Sequence, residues 1–342
     1  MDLATFKTTF DGILEKYVTQ KIDQSKNLIS DKKINTFIEY INTFIFSGGK
    51  RIRPYGLRLT YIFGGTNEKA ILNFGVIFEL LHSMALIHDD IIDQSEKRHN
   101  ALTVHAYIQT ILIGENTSQV AQSQAILIGD LILARVYELL NKPHDFDQQF
   151  VVEARQTVHN MIEEVILQMI DVDMTISEPA TLSLIDKKNT YKTASYTFTR
   201  PMLTTILAAS YEQQQQIKDL GNYMGMMFQM RDDYLDITLG DKTKSAFTDI
   251  QEGQQTYFTN YIFDKGTPEQ QKLLQSCMGK KLDDNQIKEL QVMFEESGAI
   301  EFRNNILKYS QKARDILTAT ELNDTTKTSI LGLIKKMEKL EH

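Results

Sequence analysis

The spacing Asp-Asp-x-x-Asp occurs twice, as Asp89, Asp90 and Asp93 and again as Asp232, Asp233 and Asp236. On a helix the first and last aspartate of each set stand one turn apart on one face, about 6 Å between Cβ atoms, with the middle one alongside. Three carboxylates so placed repel one another unless a cation sits between them. Both sets lie in apolar sequence, after Leu86-Ile87 and after Phe228 and Met230, which argues against two solvated helix faces. Hard oxygen ligands with room for water and phosphate suit Mg²⁺, whereas zinc would ask for histidine or cysteine.

The helices needed to carry these sets are easily supplied. Only five prolines and 17 glycines occur in 342 residues, so long stretches lack breakers and the expected class is all-α. No linker-like shift of composition divides the chain, so a single domain over residues 1–342 is expected, a bundle of about ten or more helices around a central cavity. The formal charge of −8 disfavours a nucleic-acid-binding surface and leaves room for a local basic pocket. Cys277 stands alone and can form no internal disulfide, which fits a reducing cytosol. Residues 1–23 have no basic segment followed by an apolar core, so no signal peptide is read there. No run reaches the roughly 18–20 apolar residues of a membrane span, and Asp130 interrupts even Ala125 to Ala134. A cytoplasmic protein with no transmembrane segment is expected.

In chain order, Phe6, Phe10, Ile13, Leu14 and Tyr17 give an amphipathic helix over 3–22, and a second over 32–46 stops at Ser47-Gly48-Gly49. Glycines opening a helix leave backbone N–H groups pointing outward, and Lys50 and Arg53 add charge on one face, so this turn suits a phosphate. Residues 70–93 form one long apolar helix. Within it Glu79 and His82 have the Glu-x-x-His spacing of di-iron bundles, but no second copy follows. A polar loop from Gln94 leads to helices at 118–141 and 147–176. Gly129 interrupts the former, a cost of about 1 kcal/mol that close helix packing usually offsets. A Ser/Thr-rich turn from Lys192 to Pro201 suggests a kink. Residues 214–238 carry the second acidic set. The polar loop from Leu239 to Gly253 has the composition of a lid and equally of a surface loop, and amphipathic helices follow, one starting near 299 after Ser297-Gly298.

Two acidic helix ends facing one another across a cleft would hold divalent ions, and those ions a ligand that is itself anionic and rich in oxygen. A diphosphate fits, with Lys50, Arg53, Arg98, Lys192 and Lys244 as the remaining charge of its cage. Below the first set the walls are apolar: Ala85 lies one turn deeper than Asp89, Leu81 two turns deeper, and Met84 alongside. An oily tunnel under a diphosphate-binding mouth is what a prenyl diphosphate requires.

From Gly48 to its last helices the chain resembles the trans-isoprenyl diphosphate synthases of the polyprenyl synthetase family. The Gly-Gly-Lys-x-x-Arg-Pro signature is Gly48 to Pro54, the two aspartate-rich motifs are Asp89 to Asp93 and Asp232 to Asp236, the Lys-Thr pair is Lys192-Thr193, and Gln229 precedes the second motif. The resemblance implies that Asp89, Asp93 and Asp232, supported by Asp90, Asp233 and Asp236, hold Mg²⁺, three ions with substrate bound, on an allylic diphosphate. It implies that Arg98, Lys192 and Lys244 neutralise that diphosphate, that Thr193 and Gln229 sit near the developing allyl cation, and that Lys50, Arg53 and His82 grip isopentenyl diphosphate. The implied product is an all-trans polyprenyl diphosphate, and a homodimer is implied with it.

Two departures stand out. Arg98-His99-Asn100 replaces the family's Arg-Arg-Gly, so His99 takes the place of one strong contact to isopentenyl diphosphate. In the later loop Phe247 stands where glycines are usual and Gln254 where a lysine is expected. Met84 and Ala85 in place of an aromatic one turn above the first motif imply a product of twenty carbons or more, with Leu81 as a floor. A class I terpene cyclase and a non-catalytic subunit of a heteromeric synthase are the alternatives. The second complete Asp-Asp-x-x-Asp set argues against the first, and the presence of all six aspartates against the second.

Overall fold

Where apolar residues recur every third or fourth position, the described chain is helical. The computed structural model describes residues 1–61, 68–99, 101–142, 148–174, 178–206, 210–238 and 247–340. The class is all-α, as expected. By internal contacts the chain divides into two compact units, Met1–Arg155 and Gln156–His342.

In the first unit, α1 (Leu3–Lys26) buries Phe6, Phe10, Leu14, Val18 and Ile22, a stripe of strict i,i+4 spacing, and is opened by Asp2 accepting from the Thr5 N–H. Helix α2 (Lys32–Phe46) is capped in the same way by Asp31 and stops before the glycines. Helix α3 (Ile52–Thr60) follows a left-handed Arg51 at φ 56°. Buried Arg51 ties three segments together: Nε donates to Asp11 at 2.7 Å, one terminal nitrogen to Glu79 at 2.8 Å, and the other to the Ile45 carbonyl at 3.0 Å. Glu79 is therefore committed to an ion pair, which disposes of the di-iron spacing.

Helix α4 (Glu68–Ile92) is the one helix among the described residues long and apolar enough to cross a bilayer, with a mean hydropathy of 1.8. That corrects the sequence-based expectation that no such run exists. It does not span anything in this fold: 78% of that stretch is buried, and Phe74, Phe78 and Leu81 are core residues. The expected polar loop after Asp93 contains a short antiparallel hairpin, β1 (Lys97–Arg98) and β2 (Ala101–Leu102), before α5 (Val104–Ile111) and α6 (Thr117–Asn141). Gly129 in α6 is the notch that receives His88 of α4, since a Cβ there would fall 2.3 Å from the imidazole Nε2.

The expected helix over 147–176 is interrupted. A 3₁₀ turn at Val165–Leu167 separates α7 (Gln148–Glu164) from α8 (Gln168–Met174), and its tighter winding rephases the helix. In the second unit α9 (Leu182–Asn189) runs directly into a π-helical segment, Thr190–Thr199, and then α10 (Arg200–Thr204). The expected kink is thus ten residues of wider winding. Helix α11 (Tyr211–Thr238) packs along it at very close range: a Cβ on Gly225 would lie 2.2 Å from the Ala194 Cα. After α12 (Thr248–Gln251), helices α13 (Tyr257–Lys265), α14 (Pro268–Cys277) and α15 (Asp284–Ser297) each begin with a reciprocal capping box. Helices α16 (Ala299–Ala319) and α17 (Asp324–Glu338) complete the unit, whose core includes Phe258 against Phe294 with ring centroids 5.1 Å apart.

Candidate active site

The first acidic set occupies the last turns of α4 and the second the last turns of α11, at the negative ends of the two helix dipoles. Helix dipole and mutual repulsion act in the same sense, so each set needs positive charge brought to it.

At the first set that charge is Arg98. Asp90 is 1% exposed, and its Oδ1 accepts from Arg98 Nε at 2.8 Å and from a terminal nitrogen at 2.6 Å. The hairpin aims the guanidinium. Arg98 pairs with Ala101, the Thr103 hydroxyl donates to the Ser95 carbonyl at 2.7 Å, and the Tyr40 hydroxyl donates to the Leu102 carbonyl at 3.0 Å. Asp89 and Asp93, one turn apart, are half-buried. The middle carboxylate is therefore neutralised within the protein, and the outer two remain nearer to solvent.

Deeper on α4 lies a cluster of cationic groups. Burial first, then the charges of Arg53, Arg98, Arg51 and His99, push His82 well below the usual imidazole range, so it is neutral at physiological pH. A neutral imidazole amid guanidinium groups offers hydrogen bonding without adding repulsion. His99 adopts φ 52° and lies against the glycine turn, where a Cβ on Gly48 would fall 2.4 Å from its Cδ2. Lys50 is exposed and Arg53 half-buried beside it. Leu81, Met84 and Ala85 are all buried.

In the second unit the π-helical segment presents Thr193 to α11. Its hydroxyl donates to Gln229 Oε1 at 2.5 Å, and Gln229 Nε2 donates to Asp233 Oδ1 at 2.7 Å. Asp233 is 2% exposed, and its Oδ2 has no hydrogen-bond partner. Burial, with the charges of Asp232 and Asp236, raises its carboxyl to about 7, while Gln229 and Lys188 pull the other way. Asp236 accepts from the backbone N–H groups of Thr248 and Asp249, each at 3.1 Å, and so fixes the return of the chain into α12. That return brings Asp249 to the same carboxylates. Burial, then Asp236, Asp233 and Asp232, hold its pKa well above the usual carboxylate range. Asp232 and Lys192 are exposed. Lys244 falls outside the described residues.

The donor set fits Mg²⁺. It consists of carboxylate oxygens, one of them buried without a partner, and among the described residues no three acidic or imidazole side chains close into a finished cage. Mg²⁺ keeps water and phosphate ligands and is bound by one or two carboxylates.

A polyprenyl synthetase family model matches residues 32–295, which takes in the glycine signature, both acidic sets and the Lys-Thr pair. The chain belongs to the polyprenyl synthetase family. As a member it is a prenyltransferase of the trans-prenyl diphosphate synthase type. The short chain isoprenyl diphosphate synthase of Methanocaldococcus jannaschii is 28% identical over 81% of this chain and 81% of its own. The octaprenyl diphosphate synthase of Escherichia coli is 27% identical over 72% of this chain and 73% of its own. Among solved structures, geranylgeranyl pyrophosphate synthase from Corynebacterium glutamicum, complexed with isoprenyl diphosphate and magnesium, superposes with a TM-score of 0.87. It is 25% identical and is covered over 99% of its length by 97% of this chain.

Within this polyprenyl synthetase the sequence-derived residues gather into two groups. Asp89, Asp90, Asp93, Arg98, Arg53, His82 and His99 belong to the first unit, and Lys192, Thr193, Gln229, Asp232, Asp233 and Asp236 to the second. Two features escaped the sequence reading. Arg51, the unassigned position of the glycine signature, is the buried anchor of that turn, and only the acidic partners Asp11 and Glu79 could have signalled it. Asp249 was read as a loop residue, because nothing in the spacing says that Asp236 would cap the turn leading to it.

Proposed function

We propose that this polyprenyl synthetase condenses isopentenyl diphosphate with an allylic diphosphate to give an all-trans polyprenyl diphosphate of twenty carbons or more. The observation that carries the reading is the form of its two acidic helix ends. Each keeps carboxylates available to a hard cation, and each has built-in groups suited to an anionic substrate.

Asp89, Asp93 and Asp232 would hold Mg²⁺, three ions in the family's manner, with Asp90, Asp233 and Asp236 in support. Bound Mg²⁺ supplies neutralisation of the departing diphosphate. Arg98, Lys192 and Lys244 add charge to the same leaving group, and stabilisation of developing charge by fixed groups is the main work required of the protein. Thr193 donates its proton to Gln229, so its oxygen lone pairs are left to face a developing allyl cation. Lys50, Arg53, His82 and His99 orient the isopentenyl diphosphate so that its double bond meets the allylic carbon. The diphosphate that leaves is the base for the final proton, and no covalent nucleophile is required. No aromatic stands at Leu81, Met84 or Ala85, and that supports a long product.

A homodimer is part of the proposal. Val120 and Leu127, seven residues apart on α6, are 43% and 66% exposed, an apolar face suited to a second copy.

The purified protein incubated with Mg²⁺, isopentenyl diphosphate and farnesyl diphosphate is expected to yield a longer prenyl diphosphate on chromatography, and none when Mg²⁺ is chelated. Hydrocarbon formed from the allylic substrate alone would indicate a cyclase instead. No product in any combination would favour a non-catalytic subunit, the reading that His99 and Gln254 support.

A further inference from the structure

The charges around His82 come from two stretches of chain: Arg51 and Arg53 at the glycine turn beyond α2, and Arg98 and His99 on the hairpin. An anion held between these stretches meets whatever spacing the fold gives them. Two contacts set that spacing. At the tip of the hairpin, His99 lies against Gly48. Nearer its base, where β2 packs on α2, the Tyr40 hydroxyl donates to the Leu102 carbonyl at 3.0 Å. Tyr40 precedes Gly48 by eight residues, about 12 Å along a helix axis, and Leu102 follows His99 by three, about 10 Å of extended chain. The hairpin arm is therefore held to the end of α2 at both of its ends. Tyr40 is itself fixed: it is 9% exposed, and its ring stacks on Tyr107 of α5 with centroids 3.6 Å apart and planes 7° from parallel. The base of the hairpin is closed by buried Thr103, whose N–H donates to the Glu96 carbonyl at 3.0 Å.

We propose that Tyr40 is a positioning residue for isopentenyl diphosphate: its hydroxyl holds the hairpin at a set distance from the glycine turn, and so fixes how Lys50, Arg53 and His99 fit that diphosphate. This rests on the functional reading above, in which Tyr40 touches no substrate. Arg98 has an anchor of its own in Asp90 of α4. The Tyr40 bond therefore bears on the His99 end of the arm and leaves the first acidic set as it is. A stacked ring carrying one directed hydroxyl suits the task, since the ring is held by Tyr107 while the hydroxyl reaches the strand. One such bond adds little to net stability, so its loss is felt in the fit of the ligand before it is felt in the fold.

Tyr40→Phe keeps the stack and removes only the hydroxyl. Tyr55→Phe is the matched control, because the Tyr55 hydroxyl also donates to a carbonyl at 3.0 Å, that of Met1 rather than one in the hairpin. Binding of isopentenyl diphosphate alone, and of a non-ionisable farnesyl thiolodiphosphate with Mg²⁺, is measured by calorimetry, together with steady-state kinetics and the melting temperature of each variant. Tyr40→Phe is expected to weaken isopentenyl diphosphate about three- to tenfold and to raise its KM alike, while kcat and thiolodiphosphate binding stay within about twofold of the parent protein. Tyr55→Phe should lower the melting temperature about as much as Tyr40→Phe does, yet bind both ligands as the parent does. Tyr40→Phe binding isopentenyl diphosphate as tightly as the parent would overturn the proposal, as would an equal loss for both ligands or the same loss in Tyr55→Phe. Failure of the unsubstituted protein to bind isopentenyl diphosphate would instead bring down the functional reading itself, and this inference with it.

Discussion

Asp89 and Asp90 are neighbours in sequence with opposite fates. Asp90 is sealed against Arg98, while Asp89 is left for an external partner. Asp89→Asn is therefore expected to lower kcat by about 10²-fold or more with the fold intact by circular dichroism. Ala85→Phe places a ring one turn below Asp89 and is expected to shift the product to a shorter chain on chromatography, with Leu81→Ala shifting it longer. Glu138 provides a clean acid probe far from the chemistry. Burial raises its pKa, but hydrogen bonds from Lys21, Lys142 and Arg135 more than reverse this and hold it at about 2. A depressed carboxyl stabilises the fold above its unfolded pKa of about 4.5, and that contribution is lost as pH falls towards 2. Glu138→Gln should therefore be less stable than the parent at pH 7, on the order of 1 to 2 kcal/mol after solvent screening, and equal to it near pH 2 in thermal melts. Of five non-glycine residues with positive φ among the described ones, Arg51, Gln94, His99 and Phe247 border groups assigned to the site, whereas Asn116 does not.

Elements with strong periodicity were legible in the sequence. The helices carrying Asp89 and Asp232 fall within a few residues of their expected limits, and Ser297-Gly298 marks the break before α16 as expected. What escaped were features set by tertiary contacts. The segment after Asp93 has the polar composition of a loop, and the pairing of Lys97–Arg98 with Ala101–Leu102 is held by bonds from Tyr40 and Thr103 that composition does not reveal. The π-helical winding of Thr190–Thr199 leaves no trace in apolar spacing, because it depends on Gly225 letting α11 approach the Ala194 backbone. Gly225→Ala tests the interlock. The added methyl must push the segment away from α11, at about 1–3 kcal/mol of overpacking, and lengthen the Thr193–Gln229 bond. kcat should fall more than the KM for isopentenyl diphosphate rises, measured by steady-state kinetics.

At the scale of the whole molecule, the all-α class follows from breaker scarcity, and by internal contacts the helices gather into Met1–Arg155 and Gln156–His342. The exposed α6 face has its own test. Leu127→Arg places a charge where a second copy is expected to pack, so it should shift the protein from dimer towards monomer in light scattering, with helical content unchanged. Finally, one guanidinium belongs to two neighbourhoods. Arg98 grips Asp90 between Asp89 and Asp93 and also contributes to the charge around His82. An anion drawn to one end is expected to change the charge that Arg98 offers at the other. Its two substrates should consequently bind synergistically, with the occupancy of one altering the grip on its companion before any bond is made or broken.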